Sequence, residues 1–106
     1  MSYDNWSKSE KEVARKVFNM AKKRAYDNLI NTINSKKIQS SDDIWSLRDL
    51  LNEKAIEFDN IFDYRYSQLV ILFVRYVQDG LLDIEELTGL SEDKISVIKN
   101  MTDRDL

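Results

Sequence analysis

The sequence predicts an all-α protein built from long antiparallel helices, with no sheet. The 106-residue chain has no proline and only two glycines, so few positions interrupt a helix. Along its first half, apolar residues recur at spacings of three and four, the period of an amphipathic helix. Residues 64–78 form the one run compatible with a buried strand, and no second run could pair with it. This length predicts a single helical domain, residues 1–106.

The first helix is expected to begin near Ser7 or Ser9, because each serine has a glutamate three residues later, as in a capping box. Nothing stops this helix before Ser35. Residues spaced three and four apart form a seam close to a heptad pattern, in which alanines permit close helix approach. The seam contains Ala14, Phe18, Ala21 and Ala25. A helix of about 25 residues spans roughly 40 Å. Since a compact domain of this size needs less, we expect the seam to pack against a second copy of the chain.

Ser40 or Ser41 is expected to cap a second helix, whose first turn holds two aspartates that favour its N-terminus. The apolar stripe of this helix lasts to about residue 58, and we expect it to be core. The stripe contains Ile44, Leu47, Leu50, Leu51, Ala55 and Phe58. Trp45 points well over a quarter-turn away from that stripe. On the face of Trp45 lie Arg48, Asp49, Asn52 and Ile56.

Two interpretations of Trp45 remain open at this point. In the first, Trp45 packs on another helix of its own chain and its polar neighbours are merely solvated. In the second, this face contacts another subunit or a partner protein. An aromatic residue beside arginine and aspartate matches the composition of interfaces, where aromatic and arginine anchors dominate the binding energy. The composition therefore favours the second interpretation slightly.

The remainder of the chain predicts shorter helices. Residues 64–78 are apolar all round their centre and predict a buried helix, after which Gly80 supplies a left-handed stop. A short helix is expected to end near Gly89, and Ser91 is expected to cap a last helix that runs to about Met101. We therefore divide the domain into a long-helix stalk at about 7–62 and head helices at about 63–101.

The composition argues against an enzyme, a cofactor site and a metal centre. Without cysteine or histidine, the chain lacks a thiol nucleophile, a neutral-pH proton shuttle and the usual transition-metal ligands. Two isolated glycines cannot build a phosphate-binding loop. Residues 79–87, DGLLDIEEL, imitate the second half of a calcium-binding EF-hand loop, but Arg75 and Val77 occupy the positions of the leading oxygen ligands. This stretch is better interpreted as a helix stop and restart.

Charge is distributed unevenly along the chain. Residues 1–38 carry nine basic against four acidic side chains, whereas residues 39–106 carry seven against fifteen. We expect attraction within the chain or between two copies. The basic cluster at residues 22–26, KKRAY, is a weaker candidate for nucleic acid, because one tyrosine is available for stacking and the chain as a whole is acidic. No apolar run approaches 18 residues and no leader pattern is present, so we expect a cytoplasmic protein without a membrane span.

Five segments together resemble the fluorescence recovery protein family over nearly the whole chain, from Trp6 to about Met101. They are WSKSE at 6–10, DDIWSLRDLL at 42–51, DYRYS at 63–67, DGLLDIEEL at 79–87 and LSEDK at 90–94. The resemblance implies an all-α homodimer in which two long helices of each subunit form a bent stalk and the short helices form a head. It also implies a partner, the C-terminal domain of the orange carotenoid protein. The family speeds the return of that protein from its red, quenching form to its orange resting form, which restores phycobilisome fluorescence.

The resemblance implies a role for several residues of the second helix. In the family, the residues that match Trp45 and Asp49 belong to the dimer and partner-contact surface. Ala55 departs from the pattern, because cyanobacterial members carry a functionally important arginine there, and Arg48 occupies a position that is often histidine. Since alanine cannot form a bidentate salt bridge, the contact with the carotenoid protein is expected to be weakened. An alternative is the branch of the family from bacteria without phycobilisomes, with a different and unknown protein partner.

Overall fold

The structure is a computed structural model that describes residues 5–104, and these residues form four α-helices and no β-strand. The helices are α1, Lys8–Ser35; α2, Ser41–Ile61; α3, Tyr66–Gln78; and α4, Glu92–Arg104, with a short 3₁₀ helix at Ile84–Leu87 between α3 and α4. The all-α fold class predicted from the sequence is confirmed. None of the helices in the described range is long and apolar enough to cross a membrane.

Local signals in the sequence set the helix ends. Ser7 caps α1 in a full capping box, since its hydroxyl accepts from the Glu10 amide and the Glu10 carboxylate accepts from the Ser7 amide. Ser40 does the same for α2 with Asp43. Gly80 has a φ of 76°, the left-handed conformation expected at the end of α3. These three predicted boundaries are confirmed.

Some boundaries differ from the prediction. α3 begins at Tyr66 rather than Tyr64, and α4 continues to Arg104 rather than ending near Met101. The expected short helix before Gly89 is a single 3₁₀ turn. Gly89 itself lies against α1, because a Cβ at this position would approach Val13 Cγ2 to 2.7 Å. Close packing on α1 therefore leaves room only for glycine at the end of that turn.

The core lies in the head, where α3, α4 and the 3₁₀ helix pack on the N-terminal half of α1. Eighteen buried apolar residues form one cluster, and its fully buried large side chains are Tyr76, Phe73, Leu69, Leu87, Ile98 and Val17. Aromatic rings contribute much of it: Phe18 makes edge-to-face contacts with Phe62 and Tyr64 at centroid distances of 5.9 and 4.9 Å. This packing fixes the base of the stalk.

The seam of α1 belongs to this core. Ala14 and Ala21 have no exposed surface in a single chain, and Phe18 and Ala25 are also buried. The expectation that these residues pack against a second copy is therefore wrong. The small alanine side chains do permit close approach, but the elements that approach are the head elements of the same chain.

The stalk consists of the C-terminal part of α1, the connection at 36–40 and most of α2. α1 has no buried residue after Ala25, and the buried residues of α2 are Phe58 and Ile61, both at its head end. The described chain measures 53 × 27 × 20 Å with a radius of gyration of 16.4 Å. A compact domain of this length has a radius of gyration of about 13 Å. The stalk therefore extends away from the core instead of folding onto it.

Candidate functional site: an exposed face of the second helix

One face of α2 carries large side chains that no part of residues 5–104 covers fully. Trp45 is 53% exposed and Ile56 is 66% exposed, and the two lie eleven residues apart on the same side of the helix. Arg48, Asp49 and Asn52 lie on that side between them and are exposed. We call these five residues the α2 face. Because Trp45 is half exposed, the interpretation that it packs on another helix of its own chain is wrong.

The polar members of the α2 face hold one another in place. The Arg48 guanidinium donates to Asp49 Oδ1 from Nε and Nη2, at 3.2 and 3.0 Å. Its central carbon lies 5.3 Å from the centre of the Trp45 ring system. An ion pair this exposed contributes little to stability. The arrangement instead presents an aromatic ring, a cation and a carboxylate in one fixed group.

The stripe expected to be core is also largely uncovered. Ile44 and Leu51 are exposed, Leu47 and Leu50 are half-buried, and Ala55 is exposed at the edge of the α2 face. The expectation that this stripe packs inside a single chain is wrong except at Phe58, which is buried. The reason is that α1 and α2 make few contacts with each other, so the middle of α2 has no closely packed neighbouring helix.

The facing part of α1 and the connection after it expose apolar residues too. They are Tyr26, Ile30 and Ile38. Scattered single apolar residues are normal on a protein surface, but several large ones in the same part of the molecule indicate a candidate interaction site. The stalk therefore exposes apolar side chains on both of its helices.

A groove opens between α1 and α2 where the stalk meets the head, with a volume of about 310 Å³. Its lining is mixed. Five apolar residues line it, namely Ala25, Leu29, Phe58, Ile61 and Leu81, together with five polar residues, namely Asn28, Thr32, Lys54, Glu57 and Asp79. Apolar and polar groups side by side are typical of protein-binding surfaces.

Hydrogen bonds at the corner between α2 and α3 fix the direction of the stalk. The buried hydroxyl of Tyr76 donates to the carbonyl oxygen of Ile61, one of the last carbonyls of α2. Burial raises the pKa of Tyr76 well above its usual range, so the hydroxyl stays protonated and remains a donor. Arg75 donates to Asp79 at 2.7 Å and to Glu57 at 3.1 Å, which joins α3 to α2. Sequence reasoning missed these positioning residues, since an apolar run gives no sign of which polar atom it will meet.

A buried ion pair ties the start of α1 to the start of α4. Lys94 Nζ lies 3.0 Å from Glu10 Oε2, and both side chains are about nine-tenths buried. Glu10 also accepts from the amide of Ser91 at 2.9 Å, and Lys94 Nζ donates to the carbonyl oxygen of Asn5 at 2.8 Å. Burial alone would raise the pKa of Glu10, but the bonds from Ser7, Ser91 and Lys94 lower it to about 2. The sequence hinted only at the capping role of Glu10.

The basic cluster at 22–26 is mostly engaged within the chain. Arg24 makes a bidentate pair with Glu86 at 2.7 and 2.9 Å and also donates to the carbonyl oxygen of Leu81. Lys23 pairs with Asp27, and the ring of Tyr26 lies edge-on to Phe58 at 4.8 Å. The ion pair between Arg24 and Glu86 is one instance of the attraction expected between the basic part of the chain, residues 1–38, and the acidic part, residues 39–106.

No group of acidic side chains within residues 5–104 is arranged to hold a metal ion. In the stretch that imitates an EF-hand, Asp79 is engaged by Arg75 and Glu86 by Arg24. The exposed part of the stalk offers apolar side chains, the Trp45 ring and charged groups for contact with another molecule.

Comparison with known proteins decides the family. Residues 6–102 match the family described as the photoprotection regulator fluorescence recovery protein. This chain belongs to the fluorescence recovery protein family. It is 38% identical over 96 residues to the fluorescence recovery protein of Synechocystis, a match that covers 89% of this chain and 88% of that relative. The resemblance inferred from the five segments is thereby confirmed.

Solved structures of the fluorescence recovery protein family share the fold. The protein from Fremyella diplosiphon has a TM-score of 0.90 and 36% identity, and the match covers 93% of this chain and 99% of that one. The Synechocystis protein has a TM-score of 0.87 with the same identity and coverage. A fluorescence recovery protein is a photoprotection regulator, and this establishes the class of function for the present chain.

Proposed function

We propose that this protein is a homodimeric, non-enzymatic regulator that binds the C-terminal domain of the orange carotenoid protein. It speeds the return of that protein from the red, quenching form to the orange resting form. The two proteins meet in the cytoplasm. The observation that carries the proposal is the exposed α2 face, centred on Trp45, in a chain of the fluorescence recovery protein family.

Exposed apolar residues on the stalk support the dimer. Ile44, Trp45, Leu51 and Ile56 follow one another along a helix that buries almost nothing in its own chain. A stable protein–protein interface buries about 800 Å² of solvent-accessible surface on each partner. Two stalks packed side by side are long enough and apolar enough to form an interface of that size. A twofold dimer uses the same surface on both copies.

The regulatory activity needs no covalent chemistry. A protein that binds the resting form of a partner, or the transition state leading to it, more tightly than the quenching form shifts the equilibrium or speeds the return. The α2 face supplies an aromatic anchor together with Arg48 and Asp49, the residue types that dominate binding energy at interfaces.

Trp45→Ala tests the proposal. We expect it to weaken the dimer or the partner complex by about 2 kcal/mol, close to a thirtyfold rise in the dissociation constant. Light scattering coupled to size exclusion measures the dimer, and the absorbance change of the orange carotenoid protein after illumination measures recovery. Ile71→Ala is the control, because it removes an exposed apolar side chain from α3 in the head, away from the stalk.

Two results would contradict the proposal. A wild-type protein that is monomeric at micromolar concentration would refute the dimer. A wild-type dimer that leaves the recovery rate of the orange carotenoid protein unchanged would refute the regulatory activity.

A further inference from the structure

We propose that the N-terminal half of α1 carries a second contact surface, a stripe of four cations that binds an acidic face of the partner protein. The stripe consists of Lys8, Lys11, Arg15 and Lys22, all exposed, and we call it the basic stripe. The inference rests on the proposed function, because it presumes a protein partner, and it adds a site on the head side of the molecule, away from the α2 face.

Helical geometry aligns these four residues. Spacings of three, four and seven place them within about 60° of one another around the helix axis, along roughly 21 Å of its length. The buried seam, which packs against the head, lies about a quarter-turn away around the helix axis. The basic stripe therefore borders the head, and its four side chains are exposed to solvent.

The cations of the basic stripe have no carboxylate partner within residues 5–104. None of the four forms an ion pair with any described residue, whereas Arg24, Arg75 and Lys94 all do. The acidic side chains nearest to the basic stripe do not neutralise its positive charge. Glu12 is exposed one residue after Lys11, and Asp63 is engaged by Arg65 at 2.9 Å.

Two tyrosines hold the middle of the basic stripe in place. The guanidinium carbon of Arg15 lies 3.7 Å from the centre of the Tyr64 ring, and Lys11 Nζ lies 5.2 Å from the centre of the Tyr66 ring. A cation on an aromatic face keeps N–H donors free for an incoming carboxylate. Since the side chains are already restrained, binding costs them less conformational entropy.

Charge selects the class of partner. The chain carries a formal net charge of −3, and residues 39–106 hold fifteen acidic against seven basic side chains, so a long polyanion such as nucleic acid would be repelled by most of the molecule. An acidic protein face presents a few discrete carboxylates and can meet the basic stripe alone. Such a contact chiefly raises the association rate.

The test compares two variants of equal charge. In the first, Lys8, Lys11, Arg15 and Lys22 are all changed to Gln. In the control, Lys16, Lys36, Lys37 and Lys99, which are exposed elsewhere, are changed to Gln. A double variant, Lys8→Gln with Lys22→Gln, leaves both tyrosine contacts intact and serves if the fourfold variant folds poorly. The probes are the C-terminal domain of the orange carotenoid protein, a short poly-L-glutamate peptide no longer than the basic stripe, and duplex DNA.

We expect the stripe variant to associate with the carotenoid-protein domain about tenfold more slowly than the control at low ionic strength. The difference should vanish near 1 M salt, where the screening length is about 3 Å. Poly-L-glutamate should bind the wild type and the control but not the stripe variant.

Equal rates and equal polyglutamate binding for the two variants would overturn the inference. Tighter binding of duplex DNA than of polyglutamate would overturn it in favour of nucleic acid. If the wild type does not bind the carotenoid-protein domain but binds polyglutamate through the stripe, the proposed function fails while the basic stripe stands as an acidic-protein site.

Discussion

Trp45 and Arg48 occupy neighbouring turns of α2, and the exposed tryptophan ring and the arginine cation lie side by side. The guanidinium lies beside the ring system at 5.3 Å while bonding to Asp49. Ala55 lies seven residues beyond Arg48, on the same edge of the α2 face, and is exposed. A longer side chain at position 55 would therefore extend this group of charges toward the head.

Ala55→Arg is expected to raise the rate at which this protein accelerates recovery of the orange carotenoid protein. The arginine stem can lie along the apolar stripe of α2 while its guanidinium reaches a carboxylate of the partner. Recovery rates of wild type and variant are compared at equal dimer concentration, with Ala55→Leu as a control for added bulk. Full activity of the wild type would refute the idea that Ala55 is a handicap.

Glu10 is a second side chain with a large individual effect, because its carboxylate accepts from Ser7, Ser91 and Lys94 and so joins the start of α1 to the start of α4. Its folded-state pKa of about 2 lies below the ordinary value of 4.5. The ionised form is thus favoured by folding, and the stabilisation is fully present above pH 4.5 and is lost as the pH falls toward 2. A shift of this size corresponds to roughly 3 kcal/mol.

Glu10→Gln is expected to lower the free energy of unfolding at pH 7 by about 2–3 kcal/mol, since it leaves the buried Lys94 without its countercharge. Between pH 4.5 and 2 the variant should lose less stability than the wild type, because the group that titrates there is gone. Urea denaturation at several pH values measures both effects. Glu12→Gln, an exposed neighbour, is the control, and parallel pH curves for wild type and Glu10→Gln would contradict the assignment.

At the scale of the elements, the contacts that stabilise α2 within its own chain lie at the two ends of the helix. A capping box holds its first turn, and the last turn is anchored in the head through Phe58, Ile61 and the bond from Tyr76. Isolated helices are marginally stable, and a helix within a protein gains most of its stability from tertiary packing. The corner between α2 and α3 therefore determines both the stability of the last turns of α2 and the direction in which the α2 face points.

Tyr76→Phe is expected to destabilise the protein by about 1–2 kcal/mol, because the ring contacts remain while a buried carbonyl of α2 loses its donor. Hydrogen exchange should reveal faster opening in the last turn of α2 than elsewhere. The control is Tyr26→Phe, which removes a hydroxyl from a half-exposed ring. Equal stability of the two variants would show that the Tyr76 hydroxyl does not hold the corner.

At the scale of the whole molecule, the extended shape and the uncovered stalk have the same cause. A chain of 106 residues cannot cover two long helices with one small head, so apolar surface stays exposed unless a second molecule covers it. The radius of gyration of 16.4 Å expresses this imbalance.

We expect the melting temperature to rise with protein concentration, because a dimer that forms only from folded chains is stabilised by mass action. Differential scanning fluorimetry between about 1 and 100 µM measures the effect. Trp45→Ala should reduce the concentration dependence, whereas Lys99→Gln, a change at an exposed residue of the head, should leave it unaltered. A melting temperature independent of concentration for the wild type would contradict a dimer of this kind.

Local signals and spacing were sufficient to predict the helices and the content of the candidate site. Ser7 and Ser40 begin helices through hydrogen bonds to near neighbours in sequence, and Gly80 ends a helix through its backbone angles. Such local features can be predicted without a structure. The separation of Trp45 from the apolar stripe follows from the helical period alone, and the grouping of Trp45 with Arg48 and Asp49 needed nothing more.

The tertiary structure decided which apolar faces are covered. Ala14 and Ile44 both lie on regular apolar stripes, yet Ala14 is buried in the head and Ile44 is exposed on the stalk. An apolar stripe predicts that a helix has an apolar side, but it does not predict which segment packs against that side. Burial depends on where segments distant in the sequence lie in the fold. The pairs Glu10–Lys94 and Tyr76–Ile61 join residues 84 and 15 positions apart, and no local pattern encodes such contacts.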